Sequence, residues 1–314
     1  MKLPKSKIAF FDSGIGGLTV LNACVRRLQS GIFYYYGDNA HAPYGNLSEE
    51  KILSYTEKAF DVFQELNVNV AVLACNTATA VCAEHLRKAY AFPVIGAEPS
   101  VFPAAKRGGR IFVLVTRATY QSERFKLLCA RARERYPQAE ILPFSCDGLA
   151  GAIEKNLFEP NFDFSPHLPK GKPDLVVLGC THYVYLKNYV ENFYGCPCLD
   201  GNEGIADRLL SVLHDNFRKI WDGRPPNDFL GVLKPPTTTF FVKKRPFFGK
   251  RFKRNKNTNV RLGKIAQTPE NAGETQILFL GEEGEKNRQK YEQIFGFLKS
   301  GQNFPEQGLK FPKI

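Results

Sequence analysis

The stretch VAVLACNTAT, residues 70–79, runs from a β-branched apolar segment into a cysteine and then into amide and hydroxyl side chains. A second stretch, VVLGCTHYVY at 176–185, repeats this order later in the chain. In both, the short apolar run predicts a buried strand, and the polar residues after the cysteine predict the start of a helix. Cys75 and Cys180 are therefore expected at matching positions, each between the end of a strand and the start of a helix.

Around these two stretches, apolar β-rich runs alternate with amphipathic helical stretches, which is typical of an α/β protein with mainly parallel sheets. Strands are predicted at 7–11, 33–38, 70–74, 92–97, 110–116, 140–144, 174–180, 197–200 and 276–281. Helices are predicted at 76–90, 118–136, 148–157, 183–194 and 203–220, with a final helix after residue 281. Because the pattern restarts after residue 97, we expect two similar α/β domains.

The domain boundaries follow from where this pattern restarts and where it dissolves. We expect the first domain to comprise residues 1–97 plus about 205–314, and the second to comprise 98–204. The C-terminal strand and helix are expected to return to the first domain. Before them, residues 243–272 are predicted to form a flexible basic insertion, because Pro, Gly and charged residues replace the apolar periodicity there.

The net charge of +12 is concentrated near the C-terminus. The segment VKKRPFFGKRFKRNKNTNVRLGK, residues 242–264, contains no acidic residue. Its basic residues could contact nucleic-acid phosphates while aromatic side chains stack on bases, and these are Phe241, Phe247, Phe248 and Phe252. A solvated, disordered loop has the same composition, and we favour that interpretation. Nucleic-acid binding by the basic segment 243–264 is kept as the alternative from another functional class.

The rest of the composition bounds the class of protein. The N-terminal stretch lacks the apolar core and the cleavage site of a signal peptide, and no apolar run approaches the ~18 residues needed to cross a bilayer. We therefore expect a cytoplasmic protein without a membrane partner. In that compartment the eight cysteines are expected to be free thiols. None of their spacings matches a zinc site, and no metal is expected.

Polar side chains follow the predicted strands at the ends where parallel sheets bind ligands. They are Asp12 and Ser13, Tyr44 and Gly45, Asn76 and Thr77 beside Cys75, and Thr181 and His182 beside Cys180. Either cysteine alone is more often a core residue, but two in matched frames favour a chemical role. Backbone N–H groups at a helix start favour a thiolate. One thiolate and one thiol, on opposite faces of a carbon acid, could remove a proton and return one.

The neighbours of the cysteines have both chemical and structural interpretations. The hydroxyl and amide residues could donate to substrate carboxylates, while Asp12 could receive an ammonium group or tune the nearby thiol. Helix capping is an equal interpretation for Asp12, Asn76 and Thr77. His182 could exchange a proton with Cys180, or it could be a satisfied, partly buried histidine.

Taken together, these motifs resemble those of the aspartate/glutamate racemase superfamily, and specifically the bacterial glutamate racemases. The similar blocks are FDSGIGGLTVL (11–21), YGDNAHAPYG (36–45), LACNTATA (73–80), IGAEPS (95–100) and LGCTHY (178–183). The resemblance implies a cofactor-independent enzyme that interconverts L- and D-glutamate in a cleft between two α/β domains. It also implies that the D-glutamate supplies peptidoglycan synthesis.

The resemblance implies roles for individual residues as well. Cys75 and Cys180 match the paired proton donors and acceptors of the family. The substrate-contacting positions are matched by Asp12, Ser13, Tyr44, Gly45, Asn76, Thr77, Thr181 and His182. Among these, Asp12 and His182 are also auxiliary catalytic candidates. Glu154 lies where the family often has an auxiliary acid.

Three points stay open at the level of sequence. Val184 stands where the family commonly has proline, so the helix after Cys180 is expected to start differently. A racemase of another acidic amino acid in the same superfamily is the alternative enzyme. The sequence does not set the oligomeric state, and a homodimer is carried as a hypothesis.

Overall fold

The computed structural model describes residues 6–28, 30–159, 161–220, 238–241, 275–281 and 284–300. The strands in these ranges are β1 (Lys7–Asp12), β2 (Gly31–Gly37), β3 (Val70–Leu73), β4 (Val94–Gly96), β5 (Gly109–Val115), β6 (Ala139–Ser145), β7 (Leu175–Leu178), β8 (Cys198–Leu199), β9 (Thr238–Phe241) and β10 (Thr275–Leu280). The α-helices are α1 (Gly17–Leu28), α2 (Glu49–Glu65), α3 (Asn76–Ala89), α4 (Val101–Arg107), α5 (Arg117–Gln121), α6 (Glu123–Arg135), α7 (Leu149–Asn156), α8 (Lys187–Tyr194), α9 (Asn202–Ile220) and α10 (Gly284–Ser300). Short 3-10 helices lie at Asn39–His41, Tyr44–Asn46, Ser165–His167 and Thr181–Leu186.

The strands form two parallel sheets, with the order β4-β3-β1-β2-β10-β9 in the first and β6-β5-β7-β8 in the second. All strand pairs between described residues are parallel. The α/β fold with mainly parallel sheets is thus confirmed. The C-terminal strand β10 lies beside β2, from Thr275 opposite Gly31 to Leu280 opposite Tyr36. The exact domain boundaries stay a prediction.

The central strands of the first sheet are buried on both faces. In β1, the four residues Ile8, Ala9, Phe10 and Phe11 have no exposed surface. Such an unbroken apolar run is what a parallel sheet covered by helices on both sides requires. One of the resulting apolar cores includes Ile8 and Phe10 and continues to Phe112 of the second sheet. The two sheets therefore share part of their core, and α1 packs against α9 beside it.

The register of the strands brings their carboxyl ends together. Phe11 lies opposite Leu73 in the pair of β1 and β3. In the second sheet, Leu114 of β5 lies opposite Leu178 of β7. The residues that follow neighbouring strands consequently leave each sheet side by side, which is the arrangement expected for a ligand site.

The helix predicted at 118–136 is in fact two helices, α5 and α6. Ser122 between them has an extended backbone (φ −65°, ψ 139°), and its side chain accepts a hydrogen bond from the Phe125 N–H. In one continuous helix, the Phe125 N–H would bond to a carbonyl one turn earlier. Because the Ser122 side chain accepts this N–H instead, α5 ends and a new helix begins. The amphipathic pattern alone did not reveal this break.

The helix predicted at 183–194 also differs from the prediction. Residues Thr181–Leu186 form a 3-10 helix, and the α-helix α8 begins only at Lys187. Val184 lies within the 3-10 segment. The effect of Val184 in place of the family's usual proline on the start of this helix stays a prediction.

The basic insertion predicted at 243–272, which contains the whole of the segment 243–264, lies outside the described residues. Shortly before it, β9 lies at the edge of the first sheet. Among the described residues, none of the helices combines the length and the apolar character needed to cross a membrane.

We expect Ile277→Ala to lower the free energy of unfolding by about 2–5 kcal/mol, because Ile277 of β10 is fully buried and its truncation leaves a cavity. Gln293→Ala, at an exposed position of α10, should change it by less than about 0.5 kcal/mol. Urea unfolding followed by circular dichroism measures both. Equal effects of the two variants would contradict the placement of β10 inside the first sheet.

Candidate active site

The sulfur of Cys75 is held at the start of α3. Cys75 follows β3 and occupies the N-cap position of the helix. Its Sγ accepts a hydrogen bond from the Ala78 N–H at 3.4 Å and donates one to Ser13 Oγ at 3.6 Å. The first N–H groups of a helix have no partner within it, so the sulfur satisfies one of them. This placement agrees with the predicted position between a strand end and a helix start.

The protonation of Cys75 differs from the expectation that a helix start favours its thiolate. Burial raises the pKa of Cys75, the Asp12 carboxylate raises it further, and the contacts with the Ala78 N–H and the Ser13 hydroxyl lower it only in part. The outcome is a pKa of about 12. Burial destabilises the thiolate by more free energy than its contacts with Ala78 and Ser13 give back. Cys75 is therefore a neutral thiol at physiological pH.

Cys180 has a different environment from Cys75. It follows β7 and precedes the 3-10 helix, and its side chain accepts no hydrogen bond from the helix backbone. Instead, its Sγ lies 3.8 Å from Nδ1 of His182. A negative charge on Cys180 also raises the pKa of Cys75, so the two sulfurs are close enough to interact electrostatically. The sequence predicted matching positions for the two thiols, and the structure gives each its own partners.

His182 and Glu154 form a buried ion pair beside Cys180. Nε2 of His182 lies 2.8 Å from Oε1 of Glu154, which also accepts a hydrogen bond from the Ile15 N–H at 2.8 Å. Burial disfavours the imidazolium, but the contacts with Cys180 and Glu154 outweigh it and raise the pKa of His182 well above its usual range. Burial likewise opposes ionisation of Glu154, yet His182, a lysine charge and the Ile15 N–H lower its pKa to about 2. Cys180 therefore faces a positive charge.

Asp12 connects the two halves of the site. Its Oδ1 accepts a hydrogen bond from the Gly14 N–H at 2.9 Å, and its Oδ2 accepts one from Thr181 Oγ1 at 3.0 Å. The carboxyl is completely buried, which raises its pKa, while the charge of His182 acts against that shift. The bond to Thr181 joins the end of the first sheet to the segment that carries Cys180.

The glycines after β1 are explained by the close approach of these two segments. A Cβ at Gly14 would lie 2.0 Å from Oε1 of Glu154, and a Cβ at Gly16 would lie 2.4 Å from Thr181 Oγ1. Contacts below about 3 Å are sterically forbidden for carbon and oxygen. Only residues without a side chain allow the two halves to meet here.

The remaining predicted substrate-contacting residues lie at the same strand ends but make contacts of their own. Tyr44 is buried, and its hydroxyl donates to Asp38 rather than toward the cysteines. Asn76 donates from Nδ2 to the Ala97 carbonyl at 3.3 Å. Thr77 Oγ1 lies 2.8 Å from Thr116 Oγ1. The Tyr44 hydroxyl and the Asn76 Nδ2 are therefore already engaged, so any ligand contact of these two residues would use their other polar groups.

Two residues of the site were missed at the level of sequence. Thr116 follows β5 and is buried against Thr77 and Gly45, where a Gly45 Cβ would lie 3.0 Å from the Thr116 Cβ. The strand-end rule that found the cysteines could have found it. Lys290 of α10 donates to Oε2 of Glu154 at 3.2 Å. No motif in the sequence pointed to this contact.

A small cavity lies against Cys180. Its lining includes Asn76, Thr181, Glu98 and Val184. Val184 thus borders the cavity at the position where the sequence departs from the resembled family. Among the described residues, no group of three or more His, Cys, Asp and Glu side chains is arranged to hold a metal ion.

Comparison with known proteins places this arrangement in context. The sequence model of the Asp/Glu/Hydantoin racemase family matches residues 16–209. A glutamate racemase of Clostridium perfringens is 35% identical over 226 residues, which cover 68% of this chain and 85% of that protein. A glutamate racemase of Leptospira borgpetersenii is 38% identical over 214 residues, covering 66% of this chain and 82% of that protein.

Solved structures similar to this chain are glutamate racemases as well. The Escherichia coli glutamate racemase in complex with L-glutamate and the activator UDP-MurNAc-Ala aligns with a TM-score of 0.63 and 25% identity, covering 88% of this chain and 99% of that one. The Thermus thermophilus glutamate racemase in complex with β-chloro-D-alanine aligns with a TM-score of 0.56 and 29% identity, covering 69% of this chain and 83% of that one.

We expect Asp12→Asn to accelerate alkylation of Cys75 by iodoacetamide, because loss of the carboxylate charge lowers the pKa of Cys75 and increases its thiolate fraction. In the wild type, with a pKa of about 12, the rate should rise through pH 7–9 without a plateau. Peptide mass spectrometry reports the modification of each cysteine separately.

Cys82 of α3 is the matched control, since burial and two glutamates, not Asp12, raise its pKa to about 12. Its alkylation should be the same in both proteins. A plateau for Cys75 below pH 9, or equal rates with and without Asp12, would contradict this account of its protonation.

Proposed function

The chain belongs to the Asp/Glu/Hydantoin racemase family, and we propose that it interconverts L- and D-glutamate by proton transfer at the α-carbon. The family resemblance drawn from the motifs is confirmed by these matches. The observation that supports the chemistry most strongly is the pair of buried cysteines at matched strand ends, each with a separate polar partner. A racemase needs two groups, because a proton leaves one face of the carbon and another arrives on the opposite face.

In the proposed mechanism, Cys75 and Cys180 act on opposite faces of the substrate. In one direction the thiolate of one cysteine removes the α-proton, and the neutral thiol of the other donates its proton to the carbanion. The two cysteines thereby exchange protonation states, and the reverse direction restores them. Positioned acid–base groups typically contribute about 10²–10⁴ in rate. The transfers use side chains only, and the proposal includes no cofactor.

The unequal environments of the thiols assign auxiliary roles. His182 is the counterion that Cys180 needs whenever its sulfur is negatively charged, and Glu154 holds the imidazole ring through its other nitrogen. On the other side, Asp12 and Ser13 neighbour Cys75. The Ser13 hydroxyl can donate to a Cys75 thiolate once it forms, which lowers the cost of charge in this buried site.

We propose that the substrate carboxylates are bound at the strand ends that surround the cysteines. The Ser13 hydroxyl is the candidate side-chain donor, together with N–H groups at the start of α3. The Thr77 and Thr181 hydroxyls are hydrogen-bonded to Thr116 and Asp12, so they would donate to the substrate only by exchanging these partners. Because the hydroxyl of Tyr44 is engaged by Asp38, we assign the contribution of Tyr44 and Gly45 to their backbone. Asn76 would contact the substrate with its amide oxygen or its backbone N–H.

Further parts of the proposal concern biological context and assembly. D-glutamate formed by the enzyme would supply peptidoglycan synthesis, and the cytoplasm is its expected location. We retain the two-domain division, 1–97 with about 205–314 and 98–204, and a homodimer as hypotheses. The relatives described above give no support to a nucleic-acid function for the basic segment 243–264. A different acidic amino acid as substrate is an outcome of the following experiment.

We expect purified protein in D₂O, without pyridoxal phosphate, to racemise L-glutamate and to place deuterium at the α-carbon of the D-product. Because two different groups remove and return the proton, early deuterium should appear in the product enantiomer and not in the remaining substrate. Cys75→Ser and Cys180→Ser should each lower kcat by at least about 10²-fold. Chiral chromatography coupled to mass spectrometry measures both quantities.

Cys129→Ala provides the control, since Cys129 lies in a buried apolar cluster on α6 away from the two thiols. It should retain wild-type kcat. Turnover of aspartate but not glutamate would move the substrate while retaining the mechanism. Deuterium in the remaining substrate at the same rate as in the product would contradict the use of two separate groups.

A further inference from the structure

Lys290, on the C-terminal helix α10, reaches the interior of the candidate site. Its Nζ donates to the Glu154 backbone carbonyl at 3.0 Å and to Glu154 Oε2 at 3.2 Å. The other carboxylate oxygen, Oε1, is the one that contacts His182 and the Ile15 N–H. The two oxygens of Glu154 are thus divided between two cations on opposite sides.

The position of Lys290 is set by its buried neighbour on α10. Tyr291 is fully buried, with its ring centroid 5.6 Å from that of Tyr35 and 5.1 Å from that of Phe279. Its hydroxyl also contacts the side chain of Asn39. A Cβ at Gly37 would lie 2.4 Å from this hydroxyl, so the glycine at the end of β2 leaves room for it. These contacts fix the turn of α10 that carries Lys290.

The chain of contacts continues from Lys290 to a reacting atom. Lys290 contacts Glu154, Glu154 contacts His182, and Nδ1 of His182 lies 3.8 Å from Cys180 Sγ. Lys290 does not touch the sulfur, so its effect on the chemistry must pass through Glu154. The helix α10 lies outside residues 16–209, the part of the chain that the family model matches.

We propose that Lys290 is a positioning residue of the active site: it holds the Glu154 carboxylate in the orientation in which that carboxylate pairs with His182 beside Cys180. The inference rests on the proposed racemase function, because it assigns the lysine to the same proton transfer. It makes the C-terminal helix a functional part of the site rather than only a cover for the first sheet.

The charges around Glu154 determine the expected pH effect. The ionisable groups that act on it or respond to its charge are His182, Lys290, Tyr35, Tyr185 and Tyr291. Of these, only His182 and Lys290 contribute positive charge, and both lower the pKa of Glu154. Removal of the Lys290 charge therefore raises that pKa. Glu154 is then protonated at higher pH, and His182 loses its partner as the pH falls.

The test compares Lys290→Met with Lys290→Arg, which keeps the charge. We expect the Met variant to lose about ten- to a hundredfold in kcat/KM. The loss should be the same with L- and D-glutamate as substrate, because the equilibrium constant between enantiomers is one and kcat/KM must then be equal in both directions. The acid limb of its pH profile should move to higher pH. The Arg variant should restore the wild-type limb. Combined with Glu154→Gln, the Met substitution should have almost no further effect, since its influence passes through Glu154.

Two control variants separate this role from general effects of the substitution. Lys106→Met removes an exposed lysine at the end of α4, and Gln289→Met changes the exposed neighbour of Lys290 on α10. Both should retain the wild-type kcat/KM and pH profile. If Lys290→Met is poorly folded by circular dichroism, Lys290→Gln replaces it. A Lys290 variant with the same profile as the two controls would overturn the proposal.

A second readout does not depend on turnover. The buried Nε2–H of His182 should give a downfield proton resonance, which is assigned by its absence in His182→Gln. In Lys290→Met this resonance should shift. As the pH is lowered, it should disappear at a higher pH than in the wild type. An unchanged resonance would overturn the positioning role. If the wild type does not racemise glutamate but the resonance responds as expected, the proposed substrate fails while the contact of Lys290 with the pair stands.

Discussion

The arrangement of the site depends on the contacts of the largely buried Glu154 carboxylate. It receives a backbone N–H from the loop after β1, an imidazolium from the segment after β7 and an ammonium group from α10. An isolated buried carboxylate is unstable, whereas one with several donors stays ionised. Three distant parts of the chain must therefore be in place together before the charge is tolerated. Two of them also contact the thiols, because His182 lies beside Cys180 and Ser13, in the loop after β1, lies beside Cys75.

The fold could be predicted largely from periodicity, because a parallel sheet leaves apolar runs that differ visibly from amphipathic helices. The break at Ser122 and the 3-10 helix before α8 could not. A serine side chain caps a new helix in the first case, and the 3-10 segment carries the contacts of His182 with Glu154 and Cys180 in the second. Hydrophobic patterns contain no information about such polar contacts.

For the site, the positions of the cysteines were predictable, but their protonation was not. The strand-end rule located Cys75 and Cys180 because the carboxyl ends of parallel strands meet at one edge. The pKa of Cys75 depends instead on burial and on Asp12, which only the packed structure brings together. Lys290 was missed for a related reason. One lysine on an amphipathic helix has no feature that distinguishes it from its solvated neighbours.

The neutrality of Cys75 also bears on how the protein tolerates oxidants. Peroxides attack thiolates far faster than thiols, and the first product, a sulfenic acid, condenses with a nearby thiol to form a disulfide. A catalyst with two adjacent sulfurs would be vulnerable to this reaction if both were anionic. With a pKa of about 12, Cys75 is mainly protonated in the substrate-free protein, and a protonated thiol reacts slowly. The burial that makes the thiol a weak acid therefore protects it chemically, without a dedicated reductant at the site.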